Sequence, residues 1–154
     1  MGFLRELSWA STLLAQMLKK PLNYIQAKEY ALSQPEAWRD YPFGKSVEVF
    51  KIREKMFGLL FATKDHRRFN LKSEPEEAMI LREIFPAVLP GYHMNKMHWN
   101  TIVLDGTVPT GELQRMVDNS YTLVVRSLKK TEKLRLSAIY GERIIEGLSF
   151  HSDD

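Results

Sequence analysis

The sequence predicts an α+β domain, and three observations carry that prediction. Between residues 47 and 72, three apolar runs of strand length are separated by short polar turns, the pattern of an antiparallel meander. On either side of that stretch, apolar residues recur at helical spacing. A fourth strand-like run, Trp99 to Leu104, then stands between two helical segments.

From the start of the chain, Phe3, Leu7, Ala10, Leu14 and Met17 recur at helical spacing, widened by Leu4, Leu13 and Leu18. This predicts an amphipathic helical extension over residues 1–20. Its polar face carries few cations, which favours a surface lying on the domain, a partner or a second copy over a membrane anchor. Met17 is a second candidate start of translation. Pro21 breaks the helix, and Asn23 is placed to cap another whose buried side is Tyr24, Ala27 and Ala31, with Ile25 and Leu32 beside them. Pro35 ends it. Trp38, Tyr41, Pro42, Phe43 and Gly44 read as an aromatic loop.

Val47 to Ile52 and Met56 to Ala62 read as two strands joined by a tight turn near Arg53-Glu54. The second is apolar on both faces and so belongs in the middle of its sheet. After the polar turn Lys64 to Arg67, a third strand alternates Phe69 and Leu71 against Arg68, Asn70 and Lys72.

Ser73-Glu74-Pro75-Glu76 predicts a helix start, with the serine as cap, proline in the first turn and carboxylates at the positive dipole end. Ala78, Leu81, Ile84 and Phe85 would face inward. Pro86 and Pro90-Gly91 stop it, and Tyr92 and His93 lead into the Trp99 strand, closed by the turn Asp105-Gly106. The strongest helical period in the chain is Leu113, Met116, Val117, Tyr121, Val124 and Leu128. Beyond Lys129 the pattern serves two readings: Leu134, Leu136 and Ala138 alternate like a strand, while Leu134 and Ile144-Ile145 suit a helix. The organisation is therefore an extension over 1–20, a domain over 21–128 and a tail of uncertain structure over 129–154. No repeat or low-complexity linker argues for a second domain.

Composition narrows the functional classes. The chain has 154 residues, 44% hydrophobic and 27% charged, close to globular averages. It has no cysteine, so disulfides, thiolate nucleophiles and cysteine metal clusters are excluded by arithmetic. That fits a reducing compartment, and a cytoplasmic location is the expectation. The balance of 22 Lys+Arg against 19 Asp+Glu gives +3, mildly basic and short of a dedicated polyanion binder. Arg5, Glu6, Gln16 and Lys19 interrupt the longest apolar candidates, so no membrane span is predicted. Trp9 to Leu18 imitates a signal-peptide core, yet Glu6 precedes it, Lys19-Lys20 follows, and no small-residue cleavage pattern is present.

Catalytic and metal sites find little in the residues. His66, His93 and His98 are the tempting ligands, but His93 and His98 stand five apart with no carboxylate at ligand spacing, as structural or surface histidines do. Ser46 and Ser120 lack a nucleophile signature, no glycine loop cradles phosphate, and Asp105 is a turn residue. No catalytic residue, metal ligand or cofactor-binding residue is assigned. Tyr92, Asn95 and Trp99 could line a small-molecule pocket, though such residues more often form the edge of a core.

Several uncommon residues stand in a recognisable register: Lys55-Met56-Phe57, Asn70-Leu71-Lys72, Pro90-Gly91-Tyr92-His93-Met94-Asn95-Lys96, His98-Trp99-Asn100-Thr101, Leu104-Asp105-Gly106 and Ser120-Tyr121. On these the chain, from about Asn23 to Leu128, resembles the MmcQ/YjbR family. The resemblance implies a two-layer sandwich, an antiparallel sheet packed on helices, similar to CyaY, and a family name that usually carries the words DNA-binding. CyaY-like iron handling would need clustered carboxylates, whereas here the first matching helix offers only Glu29, with Glu36 and Asp40 beyond it.

The leading expectation is a non-enzymatic domain that contacts DNA phosphates. Lys64, Arg67, Arg68 and Lys72, with His66, form a basic hairpin wing; His93, Lys96 and His98 add a second segment interleaved with aromatics. Asp65 within the wing, and the common use of basic residues at strand edges for solubility, weigh the other way. The stretch Arg126 to Arg143 holds six Lys+Arg against two Asp+Glu, as a solvated helix would. The alternative is a protein-interaction module using residues 1–20 and the aromatic loop Trp38 to Phe43. A small-molecule-binding protein or enzyme is third.

Overall fold

The computed structural model describes residues 24–147. The predicted helix over 1–20 and the Asn23 cap lie outside them. The elements, in order, are helix α1 (residues 24–33), strands β1 (Trp38–Asp40), β2 (Val47–Ile52), β3 (Lys55–Ala62) and β4 (Arg67–Lys72), and helix α2 (Pro75–Ile84). Strands β5 (Val88–Pro90) and β6 (Trp99–Val103) follow, then helices α3 (Thr110–Arg126), α4 (Lys130–Tyr140) and α5 (Arg143–Glu146). The six strands form one antiparallel sheet in the order β1-β2-β3-β4-β6-β5. It is an α+β fold, and β3 is interior, as its two apolar faces require.

The helices cover one face of the sheet. Phe50, Ile52, Phe57, Leu60, Phe69, Leu71 and Ile102 share a core with Ala27 and Ala31 of α1 and Leu113, Val117, Tyr121 and Val124 of α3. Aromatic edges organise its centre: Phe50 meets Phe69 at 5.8 Å and Phe57 meets Tyr121 at 5.3 Å, both edge to face.

A register shift between β2 and β3 falls at Phe50/Lys51, where Gly58 opposes Phe50 but Met56 opposes Lys51. The extra residue, Phe57, turns into the helix-side core together with Gly58. Gly58 leaves room for the rings: a Cβ there would lie 2.9 Å from the Phe69 ring. Here the β3–β4 ladder also stops short, and Ser120 of α3 completes it. Its hydroxyl donates to the Phe57 carbonyl at 2.5 Å and accepts from the Lys72 N–H at 2.8 Å. A fully buried serine thus satisfies two buried backbone groups that the bulge leaves apart.

Several sequence expectations are corrected here. Trp38–Asp40 is a strand, not loop, and Val88–Pro90 is a second strand that the pattern did not reveal. Both have three residues, too few to show a period. Ser73 is not the cap of α2; its hydroxyl donates to the Glu74 carbonyl, and Glu74 occupies the cap position without a side-chain bond. Pro75 opens the helix as expected. Ile84 and Ile25, placed by the sequence on or beside the buried sides of their helices, are exposed at 60% and 44%. The tail after Lys129 is helical as far as Glu146 and joins the domain's own core, through Leu136 at 0% exposure and Ile144 at 7%. Among the described residues, no helix is long and apolar enough to cross a membrane.

A candidate binding cleft on the open sheet face

The face away from the helices carries the opposite half of each strand's alternation: Val47, Val49 and Lys51 of β2, Leu59 and Phe61 of β3, Arg68, Asn70 and Lys72 of β4, and Trp99 and Thr101 of β6. A small second cluster, Val49, Leu59 and Trp99 with Val47, Met56 and Met94 against it, is buried there. Met94 arrives on the loop between β5 and β6, which folds back over the sheet.

That loop is held in place by a buried polar network. The Thr101 hydroxyl donates to Asn70 Oδ1 at 2.6 Å and accepts from the Tyr92 N–H at 2.8 Å, while Asn70 Nδ2 donates to the Tyr92 carbonyl at 3.0 Å. Asn70 and Thr101 are 2% and 0% exposed, so each bond is made away from water, and losing one partner strands the others. Gly91 permits the close approach. Its N–H bonds the Trp99 carbonyl at 2.9 Å, and a Cβ would meet Trp99 atoms at 2.8 Å. His93 follows with φ at 56°, in the left-handed region that non-glycine residues rarely adopt.

Between the loop and the sheet lies a cleft of about 310 Å³, floored by Val47, Leu59 and Asn70 and walled by Phe43, Phe61, Tyr92, His93 and Met94. Phe61 and Tyr92 stack at 5.9 Å with 25° between the rings, and His93 lies 4.0 Å from Tyr92. Phe43 and Tyr92 are 58% and 50% exposed, so two large aromatic surfaces line a concavity open to solvent. The volume sits at the small end of the range for ligand pockets.

The predicted site residues divide. Lys64 is exposed at the turn between β3 and β4. Arg68 and Lys72 lie on the open face, opposite Phe61 and Trp99 respectively. Arg68 Nε is buried, and has no hydrogen-bond partner among the described residues. Arg67 points the other way and sits 3.6 Å over the Tyr24 ring of α1, so the wing is not one continuous basic strip. His93 walls the cleft, and Lys96 caps the loop's start by donating to the Gly91 carbonyl at 3.2 Å. His98 is half-buried beside Ser73, whose N–H bonds its carbonyl.

Arg67's neighbourhood is an ion cluster at the α1 side. Glu48 accepts from the Tyr24 hydroxyl and pairs with Lys28 at 2.8 Å and Arg39 at 3.1 Å. Burial raises the Glu48 pKa, but the bonds from Lys28 and Tyr24 outweigh it and hold the carboxyl below its ordinary value.

Sequence reasoning reached Tyr92, His93 and Arg68, and Phe43 as part of an aromatic loop for a protein partner, but missed Val47, Leu59, Phe61 and Asn70 as site residues. The available signal was the doubly apolar β3, because one of its two faces has no helix to cover it. Among the described residues, no three His, Asp or Glu side chains are grouped to hold a metal ion.

The YjbR family model matches residues 32–123. The chain is 36% identical over 110 residues to the uncharacterised protein YbdF of Escherichia coli O157:H7, covering 71% of this chain and 90% of that one. It is 32% identical over 118 residues to the uncharacterised protein YyaQ of Bacillus subtilis, covering 70% and 98%. A crystal structure of a Deinococcus radiodurans protein with a DUF419 domain superposes with a TM-score of 0.66 at 35% identity, over 71% of this chain and 84% of that chain. A Pseudomonas syringae crystal structure follows, with a TM-score of 0.55 at 29% identity, over 62% and 92%.

Proposed function

The chain belongs to the YjbR family, and from that premise we propose that it is a non-enzymatic nucleic-acid-binding domain that holds unpaired bases on its open sheet face. The observation that carries this reading is the aromatic cleft itself, with Phe61, Tyr92 and Phe43 lining a concavity beside Arg68. A sheet presenting aromatic rings stacks bases with little regard to sequence, at about 1–3 kcal/mol per base. Arg68, Lys72, Lys64 and Lys96 are the cations placed to meet the phosphates on either side. A duplex-binding wing is the weaker form of the idea, because Arg67 faces α1. The CyaY-like description of the fold and the cytoplasmic location are parts of the same proposal, supported by the helix-on-sheet layering and the cysteine-free composition.

A second reading has its own support. The cleft wall is largely hydrocarbon, with Val47, Leu59 and Met94 contributing, and a small planar apolar molecule would fill it without any strand of nucleic acid. The exposed Trp38, Tyr41 and Phe43 also suit a protein partner, the expectation that paired them with residues 1–20.

Fluorescence anisotropy of labelled single-stranded and duplex DNA across a salt series tests the proposal. Preferential single-strand binding is expected, with a log–log slope near −0.7 per phosphate neutralised. Equal or stronger duplex binding would refute the stacking mechanism. No binding at low salt would leave the small-ligand reading.

A further inference from the structure

A second cleft lies on the other side of the molecule, where α4 and α5 meet the body of the domain. Its volume is about 200 Å³, and Asp118, Tyr121 and Thr122 of α3, Tyr140 at the end of α4, and Arg143 and Ile144 of α5 line it. Gln34 and Pro35 complete the lining, and Tyr140, Arg143 and Ile144 lie beyond residue 123, where the family match ends, so the chain's C-terminal helices build one wall of this cleft.

Asp118 is the unusual member. It is 7% exposed, yet its carboxylate is met only by neutral donors: the Tyr30 hydroxyl at 2.8 and 2.9 Å and Gln34 Nε2 at 2.9 Å. No cation pairs with it among the described residues, whereas Glu36 and Glu48 each have at least two such partners. A buried carboxylate held by neutral groups keeps much of its desolvation cost, and a cation brought to it recovers that cost. Burial, with the bond to Asp118 next, pushes the Tyr30 hydroxyl's pKa well up, so the phenol remains a donor at any ordinary pH.

Arg143 stands at the rim, exposed, and it too has no ion-pair partner among the described residues. A simple amine entering the cleft would be attracted by Asp118 and repelled by Arg143; a simple carboxylate would meet the reverse. A molecule bearing both charges satisfies both ends. Tyr121 and Ile144 then offer apolar surface to whatever side chain lies between.

We propose that this cleft is a binding site for a small zwitterion, a free α-amino acid with an apolar side chain, its ammonium on Asp118 and its carboxylate on the Arg143 guanidinium. At about 200 Å³ the space is below the 300–1,000 Å³ of drug-sized pockets, and a free amino acid suits that volume. The site is separate from the open-face cleft and does not rest on the nucleic-acid reading.

Thermal unfolding of the full chain with L-leucine, L-phenylalanine, 3-methylbutylamine or N-acetyl-L-leucine tests it, because a ligand that binds only the folded state raises the midpoint in proportion to its occupancy. Saturable increases with the two amino acids, absent with the amine and the acetylated acid, are expected. Arg143→Gln, at an exposed position, should keep the ligand-free midpoint and lose the increase. Asp118→Asn, read against its own ligand-free midpoint, should lose it as well. No increase with either amino acid, an equal increase with the bare amine, or an undiminished response in Arg143→Gln would overturn the assignment.

Discussion

Arg67 and Arg68 are neighbours in sequence and lie on opposite faces of the sheet. Arg67 caps the Tyr24 ring at 3.6 Å on the helix side, and Arg68 stands opposite Phe61 beside the cleft. The pleat alone enforces this separation, and it turns the two residues into a matched pair for experiment. If binding depends on the open face, Arg68→Ala should weaken single-stranded DNA binding markedly and reduce the salt slope by about one phosphate. Arg67→Ala should leave binding nearly unchanged. Anisotropy titrations of the two single variants give the answer, and equal losses would mean that charge alone, not the face, governs binding.

The Ser120 bridge makes a second prediction. Ser120→Ala keeps the helix and removes the side chain that joins the Phe57 carbonyl to the Lys72 N–H. Leaving buried backbone groups unsatisfied costs about 1–3 kcal/mol. Chemical denaturation should show that loss with an unchanged denaturant slope, and a loss within experimental error would mean water or relaxation replaces the hydroxyl.

Much of the fold was legible because β2 and β4 are long enough to alternate, β3 and β6 are apolar runs of strand length, and α3 repeats cleanly from Leu113 to Val124. Strands β1 and β5 were not, since three residues carry no period. The helix α4 was ambiguous for a physical reason: only Leu136 is buried, Leu134 is 59% exposed, and the helix is held at its flank by Arg135 on Glu36 at 2.7 Å. An element fixed by one apolar anchor and by the ion pairs of Glu132 with Arg53 and Arg135 with Glu36 writes no stripe into the sequence. The cleft was half legible. Tyr92 and His93 stood out as polar aromatics in a glycine-proline loop, whereas Phe61 and Leu59 looked like ordinary core because nothing local tells a strand which of its faces lacks a helix. The opposite placement of Arg67 and Arg68 was readable from strand period alone, and grouping them as one wing overlooked it.

The C-terminal helices are part of the fold, so truncating their anchor should be felt by the whole domain. Leu136→Ala should cost about 2–5 kcal/mol, the usual range for a buried leucine. A single cooperative transition at lower denaturant would agree with a shared core. An unchanged main transition would show that α4 and α5 melt independently.

Acid should expose the Glu48 cluster. Its folded pKa is held below the ordinary 4.5 by Lys28 and Tyr24 acting against burial, so the stability it contributes is fully present above that value and is lost as pH falls through the folded one. The parent should therefore lose stability below about pH 4.5 more steeply than Glu48→Gln, which should be the less stable of the two at neutral pH. Parallel stability curves for the two proteins across that range would show that Glu48 titrates alike in the folded and unfolded chains.

The central claim, that single-stranded nucleic acid meets this domain on its open face, is tested most directly by mapping backbone amide shifts by NMR while a short oligothymidylate is added. The account predicts that the perturbed amides gather at Phe43, Phe61, Arg68 and from Tyr92 to Met94, with Tyr92→Ala abolishing the changes. Perturbations clustered instead on α1 and α3, or a Tyr92→Ala protein that responds as the parent does, would contradict it.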